Sequence, residues 1–89
     1  MLPELNQDQV LRRGLVARLL LSDDGFRSFF EETKELILSS IGNTQPEAKD
    51  ERETLYLRFN ALNDLLSTIQ SYSDAAEAIQ KLRETETDS

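Results

Sequence analysis

The sequence predicts an all-α fold: a helical hairpin of helices at about residues 23–41 and 46–72, with an N-terminal helix at about 7–21 packed across it. Three observations predict it. First, Leu55, Phe59, Leu62, Leu66 and Ile69 recur at steps of three and four, and the stripe runs on through Tyr72, Ala76 and Ile79. That is the repeat of one face of an α-helix. Second, no stretch alternates apolar and polar residues in the period-two manner of a strand. Third, the breaks fall at Ser22-Asp23-Asp24-Gly25 and at Gly42-Asn43-Thr44-Gln45-Pro46-Glu47, both rich in capping and turn residues. Connections this short favour antiparallel neighbours.

The first helix is expected to start at Asn6, whose side chain can cap the free amides of the first turn. Gln9 follows at the capping-box spacing, and Pro3 lies outside, where it does no harm. Val10, Leu11, Leu15, Leu19 and Leu20 form its expected buried face, widened by Val16 and Leu21, with Arg12, Arg13 and Arg18 on the other side. Gly14 costs about 1 kcal/mol relative to Ala inside a helix, and it permits a close helix approach. Ser22 or Asp23 caps the second helix, and the acids there suit its positive end. Phe26, Phe29, Phe30, Ile37 and Ile41 are its expected buried stripe, with Leu36 and Leu38 beside it and Gly42 as C-terminal cap. Thr44 and Glu47 have capping-box spacing for the third helix, and Pro46 fits its first turn. Ser71-Tyr72-Ser73-Asp74 weakens that helix. It either continues past Ser73, which is favoured, or gives way to a short fourth helix at about 74–82. Residues 1–83 are expected to form a single helical domain, and the acidic tail, 84–89, to fray.

Composition excludes several function classes. The 89 residues hold no Cys and no His. Disulfides, thiolate or imidazole metal sites and nucleophile–His mechanisms are therefore not expected. No GxGxxG or GKS/T pattern is present to cradle phosphate. Adjacent carboxylates such as Asp23-Asp24, Glu31-Glu32 and Asp50-Glu51 point apart on a helix and suit caps and solvated faces better than acid–base catalysis. The expectation is a chain that is not an enzyme, with no cofactor, metal or small-molecule substrate.

The net charge is −7. Arg12, Arg13, Arg18 and Arg27 balance Glu4, Asp8, Asp23 and Asp24 within residues 1–30, so the whole excess lies in residues 31–89. An acidic surface disfavours nucleic acid. The start of the chain shows no charged segment leading into an apolar core, and its longest apolar run, Leu19-Leu20-Leu21, falls far short of a membrane span. A soluble, intracellular protein is expected.

Phe26, Phe29, Phe30 and Ile37 from the second helix, with Phe59, Leu62 and Leu66 from the third, are the expected core. Leu55, Leu65, Tyr72 and Ile79 are the expected seam for a neighbouring protein, because residues 55–79 also fit a heptad. Small scaffolds without disulfides or metals are stabilised by close helix packing and by oligomerisation.

Two stretches carry a resemblance. Leu19-Leu20-Leu21-Ser22-Asp23-Asp24-Gly25-Phe26 is followed by Phe29 and Glu32. Thr44 is followed by Asp50, Arg52-Glu53, Leu55-Tyr56 and Ala61-Leu62. Together, over about residues 17–70, they resemble small all-helical proteins encoded among the head-assembly and packaging genes of tailed bacteriophages, with Gly25 where that pattern has Pro. The resemblance implies a virion or head-assembly role in the host cytoplasm and the particle, with itself or a larger protein as partner, and it implies no catalytic residues. The acidic balance supports an alternative, an inhibitor of a host nucleic-acid enzyme. A third reading is a small DNA-packaging or regulatory protein, with the helices either side of Ser22–Gly25 imitating a helix-turn-helix.

Overall fold

The computed structural model of the chain describes residues 5–87. Among them three helices form: α1, Gln7–Ser22; α2, Asp24–Gly42; and α3, Lys49–Thr87. The fold is all-α, a hairpin of α2 and α3 with α1 packed against both, most extensively against α3. The expectation for Pro3 and for the last two residues of the tail lies outside the described residues.

Local chemistry sets the helix ends. Asn6 Oδ1 accepts from the Gln9 amide at 2.8 Å, and Gln9 Oε1 accepts from the Asn6 amide at 3.1 Å, closing the capping box that opens α1. Asp23 alone separates α1 from α2. Its extended backbone (φ −84°, ψ 116°) breaks the helix, and its carboxylate accepts from the Phe26 amide at 2.8 Å to start the next one. At the far end of α2, Gly42 is the last helical residue rather than the cap. Asn43 takes that place without a positive φ, and its amide donates to the Ser39 and Ser40 carbonyls.

The third helix starts at Lys49, three residues later than expected. The Thr44–Glu47 capping box does not form, because the Thr44 hydroxyl donates back to the Ile41 carbonyl at 2.8 Å. Arg52 then organises the loop from inside α3. Its guanidinium donates to Thr44 Oγ1 (3.2 Å), the Gln45 carbonyl (3.1 Å) and the Pro46 carbonyl (3.3 Å). Arg52→Met keeps the aliphatic stem and removes all three bonds. It is expected to lower stability by about 1–2 kcal/mol, since bonds to a charged donor are the stronger kind. Urea unfolding checks the loss, and faster amide exchange at Thr44 and Ala48 locates it.

No separate fourth helix forms: α3 runs unbroken through Ser73 to Thr87. Tertiary packing overrides the weak local propensity there. Tyr72 is buried, its hydroxyl accepts from Arg13 Nη1 at 3.1 Å, and the Arg13 guanidinium carbon sits 5.7 Å from its ring centroid. Further along, Arg83 reaches Gln7 and Asp8 at the start of α1, and Lys81 pairs with Glu77 one turn back. The helix therefore includes residues 84–87, which the sequence placed in a frayed tail.

These contacts give the direction of packing. Asp8 lies by Arg83 and Arg13 by Tyr72, so α1 runs antiparallel along the C-terminal half of α3. Phe26 and Phe30 share a groove with Leu66 and Gln70, and Thr44 lies by Arg52, so α2 runs antiparallel along the other half. The two shorter helices follow one another along a single long one. At 39 residues and 1.5 Å rise per residue, α3 is roughly 58 Å long. The chain measures 64 × 28 × 16 Å, with a radius of gyration of 18.0 Å. A compact domain of this length has a radius near 12 Å by the usual scaling.

Burial in so thin a body is sparse. Ala17, Phe30, Ile37, Leu55, Tyr72 and Ala76 are the buried apolar residues among those described. The α1–α3 contact is built from small side chains. Gly14 and Ala17 are buried and meet α3 at Ala76 and the Tyr72 backbone. A Cβ at Gly14 would lie 2.7 Å from the Tyr72 carbonyl oxygen and would overlap the Ala76 methyl. Glycine is required there by the close approach of two backbones, not by any unusual φ.

Candidate interaction surface

The small-residue contact turns α1 over relative to the sequence expectation. Val10, Gly14, Ala17 and Leu21 fall on one side, within about 60° of arc at 100° per residue. Leu15, Val16 and Leu19, expected inside, are instead 59%, 57% and 65% exposed. They share the outward side with Asp8 and Arg12, which sit at helical steps of three and four from Leu15 and Leu19. The expectation that the arginines lie opposite the packed face fails at Arg13, which covers Tyr72.

A similar correction holds on α2. Phe30 and Ile37 are buried and Phe26 is half-buried, but Phe29 is 71% exposed. Adjacent residues on a helix point 100° apart, so only one of two neighbouring phenyls can face a partner helix. Leu36, seven residues from Phe29, is exposed on the same flank, with Glu32 between them on that stripe. On α3, Phe59, Leu62 and Leu66 are half-buried toward the hairpin. Leu57 and Leu65 are exposed, with Ala61 midway between them at four-residue steps and Asp64 alongside.

The expected seam divides. Leu65 is open, Ile79 is half-buried, and Leu55 and Tyr72 are buried within the chain. The rotation has a physical cause. A long helix drifts about 20° per heptad relative to a 3.5-residue repeat, so one straight stripe of α3 cannot face α2 at one end and α1 at the other. Residues that a heptad assigns to an outside seam at Tyr72 are the ones that meet α1.

Most of the outward apolar residues thus form three stripes, Leu15–Leu19 on α1, Phe29–Leu36 on α2 and Leu57–Leu65 on α3, while Leu38, Tyr56 and Leu82 are exposed outside them. None was singled out as an interface from sequence except Leu65. The signal that could have found the α1 stripe is the pair Gly14 and Ala17, whose small size marks the side that approaches a neighbouring backbone.

Two concavities accompany them. An open groove of about 740 Å³ sits where α1 gives way to α2, floored by Leu21, Phe26, Phe30 and Leu66 and edged by Asp24 and Arg27, which pair at 3.1 Å. A shallower one of about 530 Å³ lies between Leu11 and Leu15 of α1 and Gln80 and Arg83 of α3. Ser28, Glu31 and Gln70 also line the first, and Arg12 and Glu84 the second. Among the described residues no group of three or more carboxylates converges to hold a metal ion. Among the same residues no helix is long and apolar enough to cross a membrane. A helix-turn-helix joins its helices through a turn of three or four residues; here Asp23 alone does so, and α2 opens on Asp24.

Comparison with protein-family models, curated proteins and solved structures finds no match to this chain.

Proposed function

We propose that this chain is a non-enzymatic structural protein that acts by helix packing, against itself or a larger protein, as a head-assembly or virion component of a tailed bacteriophage. One observation carries the association: large apolar side chains turn outward on all three helices of a thin rod, while small ones occupy its closest internal contact. Single exposed leucines are ordinary on protein surfaces, but exposed apolar residues grouped on helix faces mark interaction sites. The phage setting rests on the resemblance of residues 17–70. The surface chemistry fits such a role, since the exposed large apolar side chains lie along broad helix faces.

Leu19→Asp combined with Leu57→Asp tests the reading. Both positions are about two-thirds exposed, so the variant is expected to unfold within about 0.5 kcal/mol of the parent. The parent chain should co-sediment with head particles or their assembly intermediates, detected by mass spectrometry, and the variant should not. A parent absent from every particle fraction would remove the assembly role. A variant that still co-sediments would remove these faces from it.

A further inference from the structure

The inward sides of α1 and α2 are half a turn out of phase. At about 100° per residue, Ala17 stands nine residues, or two and a half turns, before Phe26, and Gly14 stands sixteen, about four and a half turns, before Phe30. A helix running straight from Gln7 to Gly42 could not turn both sides to α3. The break at Asp23 resolves this largely with one torsion. Its φ of −84° is near the helical value, while its ψ of 116° lies about 160° from the helical one.

The exposed side of α1 has the opposite property. Leu15 stands eleven residues before Phe26, and Leu19 stands eleven before Phe30 and eighteen before Ile37. Eleven residues are three turns and about 20°, and eighteen are five whole turns. On an unbroken helix Leu15 and Leu19 would therefore continue the stripe that α2 buries. The part of α3 they would meet carries small side chains, Ala76 at the Gly14 contact and half-buried Ser73 one turn before it. Asp8 and Arg12 lie further out on the same side. Arg12 already borders Gln80, Arg83 and Glu84, so its stem can lie along α3 with its charge in water.

Backbone hydrogen bonding at the junction is unfinished. Among the described residues the Asp24 and Gly25 amides have no acceptor, and the Leu21 and Ser22 carbonyls have no donor. In an unbroken helix Asp24 would donate to Leu20, Gly25 to Leu21 and Phe26 to Ser22. The bent form offsets these with the Asp23 cap on Phe26, the close Gly14 and Ala17 contact, and Arg13 on Tyr72.

We propose that α1 has a second docked form, in which Asp23 turns helical, α1 and α2 join into one helix, and α1 rolls by about half a turn to seat Leu15 and Leu19 on α3. Two discrete packings joined by a one-residue hinge are the material of a conformational switch. In the bent form the α1 leucines face outward and are open to a partner; in the straight form they are covered. The roll thus governs whether that stripe can bind, a consequence that rests on the association reading above, whereas the roll itself rests on helix register alone.

Asp23→Leu tests the roll on the full chain. It removes the cap and sets an apolar side chain about 40° from Leu19 on the continued stripe, where the native carboxylate opposes burial. The chain has no cysteine, so Leu19→Cys, at a position 65% exposed, supplies a single thiol. With Asp23 intact that thiol should react readily with a small maleimide, and the Asp24 and Gly25 amides should exchange without protection. With Asp23→Leu added, the thiol should react at least about tenfold more slowly and both amides should gain at least about tenfold protection, with no loss of far-UV helix signal. Asp23→Ala, which removes the cap alone, should move both readouts the same way by less. Protected amides beside an unchanged thiol would mean that α1 straightens away from α3, and would overturn the roll. Unprotected amides with helix retained would overturn the joined helix. Loss of helix in both variants would mean that no second form receives α1 once the cap is gone, which overturns the proposal as well. Each of these outcomes leaves the particle co-sedimentation of the parent to decide the assembly reading separately.

Discussion

Replacing Phe30 by alanine is expected to cost about 3–5 kcal/mol, while the same change at Phe29 leaves stability within about 0.5 kcal/mol. The two phenyls are neighbours in sequence, identical in chemistry and sit on the same helix, so the contrast isolates burial. Phe30 is 8% exposed, and it lies with Phe26 and Leu66 in the wall of the groove where α1 meets α2. Phe29 is 71% exposed. For a chain of this length each kcal/mol moves the unfolding midpoint by roughly 4–8 °C, so thermal unfolding of the two variants separates them clearly. Equal losses at both positions would mean that the α2 stripe expected from sequence, with both rings inward, describes the packing better. The measurement should be made at a concentration where association is the same for both variants, because covering Phe29 in a complex would add its own contribution to apparent stability.

The helix class and most helix ends were legible in the sequence because capping is local chemistry. Asn6 with Gln9 and Asp23 with Phe26 act within three residues of chain, so their side-chain types suffice. The loop end was not legible, because Arg52 reaches back seven and eight residues to take Gln45 and Thr44, and that choice depends on where α3 lies. Nor was the inward side of α1. Its apolar residues Val10, Leu11, Leu15, Val16, Leu19, Leu20 and Leu21 encircle most of the helix, so periodicity alone gives no preferred face. The choice is made by shape. Turning Gly14 and Ala17 inward lets two backbones approach, and the dispersion and desolvation gained along the helix outweigh the leucines left outside. The same closeness holds α3 together across Ser71–Asp74, where sequence left open a break.

This choice of face ties stability to the proposed association. The leucines that make α1 look like a core helix are the ones available to a partner. Leu15, Val16 and Leu19, 57–65% exposed, each give up part of the roughly 1.5–3 kcal/mol that full burial would contribute in the isolated chain. An association that covered Leu15, Val16 and Leu19 would recover part of that, and folding and association would then be coupled through one helix. A variant that loosened α1 from α3 would therefore weaken association without altering a single outward residue.

Gly14 is the position where that coupling should be most visible. By helix propensity alone, Gly14→Ala should stabilise the chain by about 1 kcal/mol, since alanine is the better helix former. The packing predicts the opposite sign. The added methyl would overlap Ala76 Cβ and stand 2.7 Å from the Tyr72 carbonyl oxygen. A carbonyl within a continuous helix cannot swing aside as a flexible side chain would, so α1 must withdraw. Overpacking of this kind costs about 1–3 kcal/mol, which offsets the propensity gain and leaves a net loss. Gly14→Leu, which forces a larger separation, should lose about 3 kcal/mol or more and release the Arg13–Tyr72 and Arg83–Asp8 contacts together. Denaturant unfolding gives the sign for alanine, and hydrogen exchange across residues 69–83 shows whether that part of α3 loses protection once α1 lifts away. Gly25→Ala is the control: its Cβ meets only Asp23 Oδ1 at 3.1 Å, with no second helix in reach, and packing there opposes the gain in helix propensity far less. If Gly14→Ala proved as stabilising as its propensity implies, α1 would not be in backbone contact with α3, and the reason for its leucines facing outward would go with it.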